Sequence, residues 1–134
     1  MAKLDNVIFC LKAFSQGEQG VSAQTILHAL NPEYIPGLFS FSVIVSILDL
    51  NPVETHEVQI VFKDQNADEV VNISSPLPTL SVVESNLPQD YIGIDVSMDW
   101  NNVNLTSSGE YSLDVILDKT LIGTKKVFVK GKNQ

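Results

Sequence analysis

The chain has 134 residues, a net charge of −8 and eight basic residues, all of which are lysines. An acidic chain is repelled by nucleic-acid phosphates and anionic lipids, and without arginine it lacks the side chain that best grips phosphate. We therefore expect neither nucleic acid nor membrane among its partners. With 44% hydrophobic and 18% charged residues, the sequence is typical of one folded domain spanning residues 1–134.

The single cysteine and the first residues of the chain indicate its compartment. Cys10 is the only cysteine, so no disulfide can form within the chain. Asp5 and Lys12 bound the apolar run near the start, which is too short for a signal peptide. No stretch approaches the roughly 20 apolar residues of a transmembrane helix. We therefore predict a protein of the reducing cytoplasm.

Alternation of apolar and polar residues dominates the chain and predicts β-strands. In "FSFSVIVSI", Phe39, Phe41, Val43 and Val45 share one face, and three serines lie on the other. All six prolines fall between such runs, where strands end because proline cannot donate to a ladder. In chain order, the predicted strands are 4–14, 21–30, 38–50, 56–63, 69–74, 79–85, 91–100, 110–118 and 122–130.

Many short strands at this spacing, separated by turn residues, favour a sandwich or a barrel. We predict an all-β fold, an antiparallel two-sheet β-sandwich of about eight or nine strands that closes with a C-terminal hairpin. The segment 21–30, "VSAQTILHAL", is the least regular of the predicted strands, and its composition also suits a short helix.

The stretch "DQNAD" places Asp64, Asn66 and Asp68 at alternate positions, as in the first half of a calcium-binding loop. The sixth loop position, where glycine makes the sharp turn, is Glu69, and the twelfth, where a bidentate glutamate belongs, is Ser75. We therefore interpret the stretch as a turn between strands, since Asp and Asn accept turn geometry. The alternative is a cation site completed by residues from other loops.

A second acidic feature depends on how the seventh and eighth predicted strands pair. If they form a hairpin, Asp95 lies opposite Asp114, and opposed like charges destabilise a sheet. Pairing with the last strand would bring Lys126 beside Asp114, and a shift of one residue would bring Lys125 instead. We predict an acidic stripe balanced by lysine, with a bound divalent cation as the alternative.

The sequence contains none of the motifs that mark common catalytic sites. His28 and His56 are far apart, and neither has the spacing of a metal ligand or a catalytic base. There is no nucleophile elbow, no paired-cysteine motif and no glycine-rich phosphate loop. Cys10 lies in an apolar strand, where a free thiol behaves as a small hydrophobic group. We therefore expect no enzyme activity and no cofactor, and the remaining alternative is a hydrolase whose Ser-His-Asp site is assembled from separate strands.

The order of strands and turns resembles that of a family of small bacterial β-sandwich proteins without an assigned function. The matching segments are "VIFCLKAF", "LNPEYIPG", "LFSFSVIVSILDL", "HEVQIVFKDQNADEV" and the closing "SGEYSLDVILDKTLIG". The resemblance covers most of the chain but consists of strands and turns alone. It implies a bacterial sandwich and transfers no activity, because many functions share such folds.

Four apolar residues interrupt the polar faces of the predicted strands: Ile44, Leu48, Val61 and Ile116. Contiguous apolar patches usually mark a partner surface, and two-fold self-association is the commonest way to cover one. We therefore predict a non-enzymatic interaction module that binds another protein or forms a homodimer. The alternative function is a β-sandwich that binds a metal or a small ligand through its acidic loops.

Overall fold

The computed structural model describes residues 2–15, 20–51, 54–77 and 87–133. Within these residues the chain forms nine strands and one turn of 3-10 helix at Gln89–Tyr91. The strands are β1 (Lys3–Ser15), β2 (Val21–Leu27), β3 (Ala29–Leu30), β4 (Gly37–Leu48), β5 (His56–Lys63), β6 (Glu69–Leu77), β7 (Gly93–Leu105), β8 (Gly109–Leu117) and β9 (Thr120–Val129).

The strands form two sheets whose apolar faces pack against each other, which confirms the predicted β-sandwich. The first sheet has four strands in the order β2-β1-β4-β7, and all of its neighbours are antiparallel. The second sheet has five strands in the order β3-β9-β8-β5-β6, and only the short β3–β9 pair is parallel. No helix among the described residues is long and apolar enough to cross a membrane.

The segment 21–30 is extended, as predicted, but it serves both sheets. Its first part is β2, at the edge of the first sheet, and after His28 its last two residues become β3 of the second sheet. The C-terminal hairpin is confirmed, because β8 pairs with β9 through a two-residue turn. The predicted strand 79–85 lies outside the described residues.

The predicted hairpin between the seventh and eighth strands is wrong. β7 pairs with β4 in the first sheet, whereas β8 pairs with β5 and β9 in the second. The chain crosses between the sheets at residues 106–108, and Tyr111 holds this crossing: its hydroxyl donates to the Ser107 carbonyl at 2.8 Å. A tyrosine at such a corner is a recurrent way to fix a crossing between sheets.

Aromatic side chains from both sheets fill the centre of the core. Phe9, Phe41 and Trp100 come from the first sheet, and Phe62 and Tyr111 come from the second. The Phe41 and Trp100 ring centroids are 5.5 Å apart with the rings nearly perpendicular, and those of Phe62 and Tyr111 are 5.4 Å apart. Such tilted and edge-to-face contacts stabilise the core beyond the area they bury.

Candidate functional site

An open cleft of about 580 Å³ lies at one end of the sandwich. Segments from both sheets meet there, since its walls come from the residues that follow β4, the start of β5, the 3-10 turn and the β8–β9 turn. Its polar lining includes Asp49, Asn51, Glu54, His56, Gln89 and Asp118. This is where the described structure brings a histidine and carboxylates together.

His56 has a hydrogen-bond acceptor on each side of its ring. Its Nδ1 lies 2.6 Å from Asp118 Oδ2, and its Nε2 lies 3.3 Å from the Asn51 carbonyl oxygen. A carboxylate and a carbonyl can only accept, so a neutral ring satisfies one contact and a protonated ring satisfies both. The other oxygen of Asp118 accepts the backbone N–H of Glu57 at 2.9 Å, which fixes the carboxylate.

The two groups change each other's protonation. The hydrogen bond to Asp118 raises the pKa of His56 against the opposing effect of burial, and the contact with the Asn51 carbonyl adds to the increase. The hydrogen bond to His56 lowers the pKa of Asp118, and the Glu57 N–H lowers it further. The pair therefore favours imidazolium beside carboxylate. With both nitrogens engaged, the ring joins β5, the β8–β9 turn and Asn51 rather than offering a lone pair to a substrate or a metal.

The turn that carries Asp118 has an unusual backbone. Leu117 pairs with Thr120, so the loop has two residues, and φ is +49° at Asp118 and +70° at Lys119. Two positive φ values in a two-residue hairpin loop define a type I′ turn, which Asn-Gly and Asp-Gly sequences prefer. Asp tolerates this conformation, but lysine is strained in it.

The predicted turn at "DQNAD" is confirmed. Asp64 Oδ1 accepts the backbone N–H groups of Asn66 at 2.8 Å and Asp68 at 3.0 Å, and the Asp64 N–H donates to the Asp68 carbonyl at 2.9 Å. The aspartate side chain thus folds back on its own backbone, as turn-forming Asp residues do. In the part of the chain that the structure describes, no three His, Cys, Asp or Glu side chains group to hold a metal ion.

The predicted acidic stripe is wrong, because its two carboxylates belong to different sheets. Asp95 on β7 lies opposite Ser46 on β4 and accepts its hydroxyl at 2.6 Å. Asp114 on β8 pairs with Lys63 at 2.9 Å and accepts the Thr124 hydroxyl at 2.7 Å. Burial raises the pKa of Asp114, but these two partners outweigh burial and leave the pKa lowered.

The lysines expected to balance this stripe lie elsewhere. Lys126 faces Ser112 across the sheet and makes an exposed ion pair with Glu110 at 3.4 Å, and Lys125 lies opposite Leu113. Lys63 takes the predicted role because β5 is the other neighbour of β8.

The four predicted interaction residues divide between the two outer faces of the sandwich. Ile44 and Leu48 lie on β4 of the first sheet, while Val61 and Ile116 lie on β5 and β8 of the second. Ile44 is only 5% exposed and Val61 only 4%, so neither presents a large apolar surface. Leu48 and Ile116 are half-buried. These residues therefore lie as two pairs, one on each outer face, rather than in one patch.

An edge strand offers a more accessible surface. Among the described residues, β2 has a neighbour on one side only, and its sequence from Val21 to Leu27 contains neither charge nor proline. Native edges are usually protected by such residues. β7 carries Asp95 and Asp99, β6 carries Glu69 and Pro76, and the part of β9 that precedes its pairing with β3 carries Lys125 and Lys126. β3, the outermost strand of the second sheet, has no such residue but is only two residues long, and very short edge strands pair poorly.

The hairpin that contains β2 also exposes apolar side chains. The pairing of β1 with β4 ends at Cys10 and Ser42, whereas β1 continues to pair with β2 as far as Ser15 and Val21. We call residues 11–15 and 21–27 the hairpin arm. Ile26 is 54% exposed, Leu11 50% and Phe14 39%, so three of the large exposed apolar side chains lie in or beside one strand pair.

No family model matches the sequence, and no curated protein matches it. Its structure is similar to an immunoglobulin-like protein from Pseudomonas aeruginosa, with 10% identity, 97% coverage of both chains and a TM-score of 0.49. It is also similar to part of a β-glucosidase from Listeria innocua, with 14% identity over 92% of this chain and 16% of that one and a TM-score of 0.46. Likenesses this distant carry no functional argument.

Proposed function

We propose that this β-sandwich is a non-enzymatic interaction module that self-associates through the hairpin arm. The observation that carries the proposal is the edge strand β2, which is free of charge and proline and presents Ile26 at 54% exposure. An unpaired row of backbone N–H and C=O groups is a template for another strand when neither charge nor proline on the strand opposes pairing.

The charge of the protein favours this surface for contact between two copies. Each copy carries −8, so two copies repel each other wherever acidic residues meet. β2 brings no carboxylate to such a contact, whereas the opposite edge of the same sheet, β7, carries Asp95 and Asp99. Short segments with apolar residues, little charge and no proline are also those that associate through strand pairing.

The contacts of His56 with Asp118 and Asn51 in the cleft support a function without catalysis. A general base needs a free lone pair within reach of a substrate proton. In His56, Nδ1 faces Asp118 and Nε2 faces the Asn51 carbonyl, so neither nitrogen points to open solvent. Cys10 is a free, fully buried thiol, which suits a reducing environment, and we propose that the protein acts in the bacterial cytoplasm.

Sedimentation velocity from about 10 µM to about 1 mM tests the proposal. The wild type should shift from monomer to dimer across this range, and Ile26→Lys should weaken the dimer by at least about tenfold. Leu121→Lys is the matched control, since Leu121 is equally exposed at 56% but lies on β9 of the second sheet. A wild type that stays monomeric throughout, or equal effects of both substitutions, would refute the proposal.

A further inference from the structure

We infer that two copies of the chain join by antiparallel pairing of β2 with β2, around a two-fold axis at Gln24, so that two four-stranded sheets become one continuous sheet. This inference rests on the proposed self-association and specifies its geometry. An antiparallel pair of identical strands is its own complement, because alternate residues donate to and accept from their counterparts across the axis and the axis repeats every such contact.

The length of β2 determines where the axis lies. The strand has seven residues, from Val21 to Leu27, and Gln24 is its midpoint. An axis at Gln24 places every residue of the strand opposite a counterpart, whereas moving the axis by one residue leaves two residues of each strand without one. The side chain of Gln24 is exposed and uncharged, so two copies can meet at the axis without burying a charge.

This register brings together two exposed apolar side chains of the hairpin arm, Ile26 of one copy and Phe14 of the other. Ile26 would lie opposite the partner's Ser22, and within each copy Phe14 lies opposite Ser22 on the neighbouring strand. The row across the joined sheet is then Cys10, Ile26, the partner's Ser22 and the partner's Phe14. Serine is small, so the Phe14 ring can reach over it to Ile26, which is now 54% exposed.

The opposite face of the joined strands also gains apolar contacts. Val21 and Leu27 lie at the two ends of β2, on the face opposite to that of Ile26, and both are half-buried in the single chain. Antiparallel pairing around Gln24 places Val21 of each copy beside the partner's Leu27. Two such pairs form in the dimer, one at each end of the seam, because the axis repeats every contact.

Two features keep the association weak. Thr25 has φ of +59°, and the ladder with β1 skips this residue between the pairs Cys10–Ile26 and Lys12–Gln24, so the edge is kinked. A seam of one short strand from each copy also belongs to the smallest class of interfaces, below about 1,200 Å². Repulsion between the Lys12 side chains of the two copies does not weaken the association further. These side chains would stand three strand spacings apart, roughly 14 Å, which is beyond the screening length in physiological salt.

Disulfide cross-linking of cysteine variants tests the register. In an antiparallel pair the Cα atoms of opposed residues are about 4.5–5.5 Å apart, within the range a disulfide spans. Gln24→Cys should therefore form a covalent dimer under mild oxidation. Ser22→Cys is the matched control on the same face, because the two Ser22 residues would be four positions out of register, roughly 14 Å apart.

A mixture of Ser22→Cys and Ile26→Cys should cross-link as a heterodimer, since the register opposes these positions. The wild type is the control for the native thiol, Cys10, which is 0% exposed and should form no cross-link. We expect Gln24→Cys to cross-link at least about tenfold faster than Ser22→Cys alone. Equal rates would overturn the register. Absence of cross-linking in all variants, with a wild-type dimer still present in sedimentation, would overturn strand pairing and leave the proposed function standing.

Discussion

Replacement of His56 tests whether its two contacts hold the cleft end of the sandwich together. The ring bridges Asp118, 2.6 Å from Nδ1, and the Asn51 carbonyl, 3.3 Å from Nε2. His56→Gln keeps a polar side chain of similar length but cannot carry a positive charge. The variant therefore retains part of the packing and loses the charged hydrogen bond to Asp118.

The expected loss follows from the exposure of the two groups. A hydrogen bond to a charged group contributes about 1.5–3 kcal/mol when it is shielded from water. The His56 side chain is 12% exposed, but that of Asp118 is 49% exposed, so screening by solvent reduces the contribution. We expect His56→Gln to lower the free energy of unfolding by about 1–2 kcal/mol when the ring of the wild type is protonated.

The sign of the pH dependence follows from the two pKa shifts. The pKa of His56 is raised above its ordinary 6.5, chiefly by the hydrogen bond to Asp118, so its contribution is complete below that value and is lost as pH rises through the raised pKa. The pKa of Asp118 is lowered below 3.8, chiefly by the hydrogen bond to His56, so its contribution is lost only in strong acid.

Urea unfolding at about pH 5.5 and about pH 9 measures this dependence. The difference between wild type and His56→Gln should shrink at the higher pH, and His28→Gln, at the exposed histidine after β2, should show no such change. Asp118→Asn keeps an acceptor for the Glu57 N–H and should also remove the pH-dependent part. A difference of the same size at both pH values would show that the charged contact does not stabilise the fold.

Two further predictions concern turns. Lys119→Gly should raise the free energy of unfolding by about 0.5–1 kcal/mol in thermal melts, because Lys119 has φ of +70° in a type I′ turn; a loss of stability would contradict this. Calcium at about 1 mM should leave the melting temperature unchanged, because Asp64 already accepts two backbone N–H groups; a rise of several degrees that Asp64→Ala abolishes would show a cation site instead.

The extent of most strands could be predicted because alternation is a local property of the sequence. Phe41, Val43 and Val45 on β4 all face the core of the sandwich, as their spacing indicates. The pairing of strands is not local, and here prediction failed. Asp95 and Asp114 lie on consecutive strands, which favours a hairpin, but the chain crosses between sheets before Gly109. Gly109 has φ of +142°, a conformation that sequence patterns alone did not reveal.

The His56–Asp118 pair was missed for the same reason. The two residues are 62 positions apart, and neither has a motif around it. They meet because β5 lies antiparallel beside β8, with Val58 opposite Leu117. His56 comes just before Val58 and Asp118 just after Leu117, so both lie at the same end of the two strands. Once this pairing is known, the contact follows from the register, but the sequences around His56 and Asp118 do not indicate that β5 and β8 are neighbours.

The hairpin arm shows how composition and position together point to a partner. In the sequence, a strand without charge or proline, such as "VSAQTIL", is typical of the interior of a sheet, where both sides are paired. In the structure, β2 lies at an edge, and Ile26 is exposed there. An edge strand with the composition of an interior strand is explained if a strand from another molecule pairs with it and extends the sheet. In the proposed dimer, the second copy supplies that strand, and the acidic edge at β7 would limit the assembly to a closed pair.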